Sequence, residues 1–183
     1  MHLCAQRQAG SMLAIFAKPN TLETIPALRE LDLAAHNGAQ HWIYSGHQRD
    51  VDNAILELDK HAIRYKKLDV SCAAHSRLLD EMLASFHEFA APVTAKQGTI
   101  PLISSVTGQV ADNAASFNAE YWTRHVRDTV QFQRAIESAL AKQAKLLVEM
   151  GPSAHLTAMG QRETWSTDCV WLGTSHPSIP TQR

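Results

Sequence analysis

At 183 residues the chain has room for one domain or two small ones, since domains cluster between about 100 and 200 residues. Its 45% hydrophobic and 19% charged residues, with 8 Gly and 7 Pro, exclude disordered, collagen-like and disulfide-scaffold classes. Lys and Arg total 17 against 18 Asp and Glu, a net charge of -1, so no whole-chain positive field gathers nucleic acid or anionic lipid.

Cys4, Cys72 and Cys169 are odd in number and far apart, which fits neither a disulfide framework nor a CxxC-type zinc site, and reduced thiols are expected. Ten histidines include the near neighbours His36, His41 and His47, but no HExxH or HxH pairing accompanies them, and no metal site is expected. No leader pattern opens the chain and no apolar run approaches the roughly 18 residues of a membrane span. A cytoplasmic protein with no nucleic-acid or membrane partner is the expectation.

The apolar run Met12 to Ala17, bounded by Gly10-Ser11 and Pro19-Asn20, reads as a buried strand. Asn20 and Glu23 form a capping-box pattern for a short helix, which Pro26 limits. Strand-like runs at Asp32 to His36 and His41 to Ser45 flank Asn37-Gly38, a strong hairpin-turn signal. Val51, Ala54, Ile55 and Leu58 then line one helical face, and Arg64 to Val70 returns as a strand. The order strand, helix, strand, strand, helix, strand over residues 11 to 70 is the ferredoxin-like pattern.

Leu78, Leu79, Met82, Leu83, Phe86 and Phe89 form a wide helical stripe ended by Pro92. Ile100 to Val106 reads as a strand stopped at Thr107-Gly108, Phe132, Ile136, Ala139 and Leu140 as a helix, and Lys145 to Met150 as a buried strand. Gly151-Pro152 turns the chain, Ser153 is placed to cap a helix to Met159, and the Pro-, Ser- and Thr-rich end after Thr174 reads as a linker.

Four strings in the second half carry a resemblance. They are Val70-Ser71-Cys72-Ala73-Ala74-His75-Ser76, Pro101-Leu102-Ile103-Ser104-Ser105-Val106-Thr107-Gly108, Tyr121-Trp122-Thr123-Arg124-His125-Val126-Arg127, and Val148-Glu149-Met150-Gly151-Pro152. With Ala34-Ala35-His36-Asn37-Gly38 and Tyr44-Ser45-Gly46 before them, the chain resembles the acyltransferase domains of modular polyketide synthases and the malonyl-CoA:acyl carrier protein transacylases. The resemblance implies a mixed α/β (α+β) fold: a ferredoxin-like small subdomain at 11–70, inserted in and followed by the C-terminal part of an α/β-hydrolase-like large subdomain at 71–174. Residues 1–10 become the end of a large-subdomain helix and 175–183 a tail.

Such enzymes move an acyl group from coenzyme A to a serine and then to the phosphopantetheine thiol of an acyl carrier protein, in polyketide or fatty acid synthesis. No bound cofactor is implied, coenzyme A thioester being the substrate. A serine hydroxyl needs a base, and imidazole, titrating near 6.5, suits that task. By resemblance His75 is the base, closing the tetrapeptide Cys72-Ala73-Ala74-His75, and the backbone carbonyl that orients its ring falls at His125. Cys72 and Ala74 take the substrate-pocket positions; Ala74 is neither the Phe associated with malonyl nor the Ser associated with methylmalonyl, and malonyl is expected as the commoner extender. Tyr121-Trp122 is expected to anchor a helix against a sheet rather than touch substrate, and His47-Gln48 to start a helix in solvent.

The family's nucleophile elbow, GHSxG, does not occur in this sequence; the nearest string is Ser45-Gly46-His47-Gln48-Arg49. The family's carboxylate-binding arginine has no counterpart either, Arg7 being a poor substitute. The chain alone is therefore expected to be inactive, its partners being acyl-CoA, an acyl carrier protein, and neighbouring synthase domains or a missing N-terminal half. The alternative is a truncated, non-catalytic relative that serves as a scaffold or carrier-docking protein.

Overall fold

A computed structural model describes residues 10–111, 113–164 and 169–175. Arg7, nearly all of the expected helix end at 1–10 and nearly all of the expected tail lie outside them, and Gly10, the described residue of that helix end, belongs to a strand instead. The chain divides into two compact units, Met1–Ala135 and Ile136–Arg183.

The first unit is organised by β1 (Gly10–Phe16), whose Ser11 to Ile15 are all buried. The run does not alternate because both faces of the strand are covered. Leu13 and Ile15 enter a core with Leu22, Ile25, Val51, Ala54 and Leu58, while Met12 and Ala14 face a smaller cluster with Ala34 and Ile43. The short helix α1 (Pro19–Glu23) starts at Pro19, whose fixed φ and missing N–H suit a first helical position. Asn20 thus lies inside the helix, Lys18 precedes it without a side-chain cap, and the expected capping box is not formed. Pro26 opens a separate 3-10 turn, Pro26–Glu30.

β2 (Asp32–Gly38) and β3 (His41–His47) reverse at Ala39-Gln40, two residues beyond the predicted Asn37-Gly38. Gly38 pairs with His41 and the register shifts between His36 and Gly38. The Asn-Gly pair is spent on that irregularity inside the strand, not on the turn. α2 (Gln48–Lys60) buries Val51, Ala54 and Leu58 and begins in solvent at His47, as the spacing predicts. β4 (Arg64–Lys67) stops three residues short of the predicted Val70. The sheet order is β2-β3-β1-β4 with every adjacent pair antiparallel. Arg64, Lys66 and Lys67 guard the β4 edge, a common defence against edge-to-edge pairing.

The opposite edge is covered from far along the chain. Val130 bridges Ala35 in parallel, donating to Ala34 O at 2.9 Å and accepting from His36 N at 2.8 Å. Thr129 Oγ1 adds a 2.6 Å bond to Leu33 O. Between the sheet and this strap lie a 3-10 turn, Arg77–Leu79, then α3 (Asp80–Ala90) and α4 (Ala119–Arg127), which pack on each other. Ile100 to Val106 is not a strand. Its only ladder contact among the described residues is an isolated Ile103–Val110 bridge, inside a tight reversal where Gly108 has a φ of 69° and donates to Ser104 O at 2.7 Å. Among the described residues the apolar run has no neighbouring strand to pair with, and Ile100 and Leu102 are exposed. α5 (Phe132–Ala141) follows the periodicity.

In the second unit β5 (Leu146–Glu149) and β6 (Val170–Gly173) pair in parallel, and α6 (His155–Gly160) packs on both. Gly160 is required where it is, because any Cβ there would collide with the Trp171 ring. Ser153 does not cap α6. The Glu149 carboxylate does so instead, accepting from the N–H groups of Leu156 at 3.1 Å and Thr157 at 2.7 Å. Leu146, Val148, Val170 and Leu172 are left exposed, although parallel strands are normally buried on both faces.

The division of the β1 core predicts unequal stability effects. Leu13→Ala and Leu58→Ala, both at fully buried sites, should each cost about 2 to 5 kcal/mol in denaturant unfolding. Leu56→Ala, 60% exposed on the same helix as Leu58, should stay within about 0.5 kcal/mol. Equal losses at Leu58 and Leu56 would contradict this packing.

Candidate active site

His75 lies in the turn before the 3-10 segment, with a φ of 56°. That left-handed conformation is uncommon for a residue with a Cβ and persists only where the surroundings enforce it. Ser76 supplies part of that enforcement: fully buried, its Oγ donates to Ala73 O at 2.7 Å and accepts from Leu78 N at 3.3 Å. Ser76 is thus the N-cap of the 3-10 segment, and its two bonds close the turn on both sides of His75.

The His75 ring is half-buried, and Nδ1 lies 2.9 Å from the backbone carbonyl oxygen of Asp128. A carbonyl only accepts, so Nδ1 carries the hydrogen and the lone pair of the neutral ring stands on Nε2. Burial lowers the His75 pKa below its ordinary value and the neighbouring His125 reinforces this, outweighing the opposing effects of the Asp128 carbonyl and the Asp128 carboxylate.

The orienting carbonyl belongs to Asp128, not to His125. α4 ends at Arg127, and Asp128 turns out of the helix with a ψ of 160°, which aims its carbonyl away from the helix axis; His125 is still inside the helix. The His125 side chain has a different setting. Nε2 stands 3.3 Å from Ser105 Oγ, and the ring lies beside Tyr121 and Trp122. Tyr121 OH in turn reaches Ser104 Oγ at 3.0 Å, tying α4 to the 102–111 reversal and not to a sheet, and Tyr121 and Trp122 both line a cleft.

His125 also borders a cleft of about 700 Å³ together with Gln97, Ser105, Asn113, Phe117 and Tyr121. His75, Cys72 and Ala74 do not line it. Ala74 packs instead beside Met12, Ala14, Ala34 and Ile43 on the lesser face of the sheet, and Cys72 is partly buried and in the thiol form. No group of three His, Cys, Asp or Glu suited to a metal occurs among the described residues, and no helix there is long and apolar enough to cross a membrane. Reading motifs missed the Asp128 carbonyl, and it missed Asp32, whose carboxylate meets both Arg77 and Arg127. The only sequence signal for Asp128 is its place just after the last helical residue.

A family model described as "Acyl transferase domain" matches residues 3–181. The mycoketide-CoA synthase of Mycobacterium tuberculosis is 36% identical over 149 residues, 81% of this chain and 4% of that protein. Polyketide synthase GfsA of Streptomyces halstedii is 35% identical over 146 residues, 78% of this chain and 2% of that protein. Among solved structures, the acyltransferase domain from the second module of the salinomycin polyketide synthase superposes with a TM-score of 0.86 at 29% identity, covering 96% of this chain and 42% of that one. FabD from Acinetobacter baumannii shares the fold, with a TM-score of 0.82 at 21% identity over 95% of this chain and 57% of that one. The chain thus spans a small fraction of its curated relatives and about half of these solved chains. Matched along nearly its whole length, it belongs to the acyl transferase domain family.

Proposed function

We propose that this chain is the base-bearing portion of an acyltransferase that loads a malonyl-type extender unit from coenzyme A onto the phosphopantetheine arm of an acyl carrier protein, in polyketide or fatty acid synthesis. The observation that carries the reading is the His75–Asp128 hydrogen bond, which leaves the basic lone pair on Nε2 of a ring held in a strained turn. The strand order β2-β3-β1-β4 and the split strand–helix–strand connections support a ferredoxin-like subdomain over residues 11–70. The exposed face of Leu146, Val148, Val170 and Leu172 supports burial against further parts of a large subdomain.

In this reading Nε2 of His75 takes the proton of a serine hydroxyl as its oxygen attacks the thioester carbonyl, forming a tetrahedral oxyanion. Collapse breaks the carbon–sulfur bond, and coenzyme A leaves as a thiol after receiving the imidazolium proton. The carrier's thiol then attacks the acyl-serine ester, His75 again accepting and returning one proton, and the acyl group departs as a thioester with the serine restored. Throughout, the Asp128 carbonyl holds the Nδ1–H and favours the imidazolium that forms twice in each cycle. The serine is not in this sequence, so a nucleophile-bearing portion of the domain or synthase supplies it. Ala74 packs against Met12, Ala14, Ala34 and Ile43, so its small size does not by itself choose the extender, and a methyl is in any case worth only about 1 to 3 kcal/mol in an apolar pocket.

Two outcomes follow from the missing serine and the lowered pKa. Incubated alone with radiolabelled malonyl-CoA, the chain should form no stoichiometric acyl-enzyme, whereas addition of a nucleophile-bearing portion should produce one on that partner's serine. A stable adduct on this chain alone contradicts the reading. In the reconstituted or parent enzyme, acylation needs neutral His75; because burial holds its pKa down, the acid limb of kcat/KM should fall below pH 6.5. An acid limb at or above 6.5 contradicts the assignment.

A further inference from the structure

His75 and Asp128 are 53 residues apart, yet their bond requires agreement within a few tenths of an ångström. One carboxylate stands between the two segments. Asp32, at the start of β2 and paired with Ser45 of β3, is rooted in the sheet. Its Oδ2 accepts from the backbone N–H of Arg77 at 2.8 Å and from Arg77 Nε at 3.1 Å, two residues beyond His75. Its Oδ1 accepts from Arg127 Nη2 at 3.5 Å, one residue before Asp128. Arg127 Nε continues to Asp80 Oδ1 at 2.6 Å, at the start of α3.

We propose that Asp32 is a positioning residue, which through Arg77 and Arg127 holds the His75 turn and the end of α4 in register and so keeps the ring proton on Nδ1. The catalytic meaning of this role rests on the reading of His75 as the base; the geometric role does not. Asp32 acts on the ring through the two arginines and their segments.

A lone exposed ion pair rarely stabilises anything measurable. This arrangement differs in three ways. The Asp32 side chain is only 16% exposed and Arg127 only 28%, so water competes less for their bonds. One bond goes to a backbone N–H, which fixes main chain as well as a flexible side chain. The strap after Asp128 is also sewn to β2 through Thr129 and Val130, so Asp128 sits between two anchors on the same strand. Burial raises the Asp32 pKa, but the Arg77 amide and guanidinium, with Arg127, outweigh it and leave the carboxyl below its ordinary value, so the clamp stays charged at neutral pH. A left-handed turn such as that at His75 persists only under restraint: Ser76 closes it onto Ala73 before the histidine, and the Asp32 grip on Arg77 fixes the chain after it.

The test reads the proton directly. In the chain with 15N-labelled histidines, at a pH where the ring is neutral, long-range 1H–15N spectra should show His75 as the Nδ1–H tautomer. Asp32→Asn should lower the Nδ1–H to Nε2–H ratio by a factor of about 2 to 10, the worth of one net hydrogen bond. Asp32→Glu should recover part of it. Lys67→Ala, which removes the exposed Lys67–Asp52 pair on the same unit, should leave the ratio unchanged whatever it does to Tm. Should Asp32→Asn fail to fold, Arg127→Gln, partly exposed and outside both apolar cores, must shift the ratio in the same direction. A folded Asp32→Asn or Arg127→Gln chain with the wild-type tautomer overturns the proposal. Because no acyl transfer is involved, that failure is separate from any failure of His75 as the base.

Discussion

The hydrogen bond from Nδ1 of His75 to the Asp128 carbonyl oxygen, 2.9 Å long, is the constraint on which the site depends. It decides which ring nitrogen is basic, and it ties a strained turn to the residue just past the end of a helix. Neither segment would hold its position unaided. The turn is closed by a buried serine, the helix end is strapped along the β2 edge, and both meet at Asp32. The four-stranded sheet thus serves as the reference frame for the site, although none of its strands carries His75.

This view also explains the two unequal faces of β1. Leu13 and Ile15 support α2 in a large core, and the stability of the sheet is concentrated there. Met12 and Ala14 face a smaller cluster that includes Ala74, the residue before His75. Packing on that lesser face therefore adjoins the site directly. Close approach is enforced as well at Gly10, where a Cβ would stand 2.5 Å from that of Ala73. The sheet, the turn and the helix end form one mechanical unit within residues 10–135.

Much of this was legible in the sequence. The continuous apolar run at Met12 to Ala17 and the helical spacing from Val51 are local patterns, and each appears where its period puts it. His75 was legible only through its surrounding strings, because a half-buried histidine has no signature of its own. Other features depended on partners distant in sequence. Ile100 to Val106 has strand composition but, among the described residues, no strand to pair with, Asn37-Gly38 is a turn signal that lost to the strand register, and Ser153 lost the α6 cap to Glu149. The carbonyl moved from His125 to Asp128 because its direction depends on the residue at which α4 stops, a boundary that patterns locate only within a residue or two. The Asp32 contacts span 45 residues to Arg77 and 95 to Arg127, beyond any local signal.

The central claim, that His75 moves the proton in acyl transfer, is tested most directly by single-turnover acylation of a serine-containing domain that carries this segment. With His75→Ala, formation of the acyl-serine from malonyl-CoA and its transfer to the carrier thiol should both slow by about 10²-fold or more, with folding unchanged. Acylation at the wild-type rate in a folded His75→Ala enzyme would contradict the account.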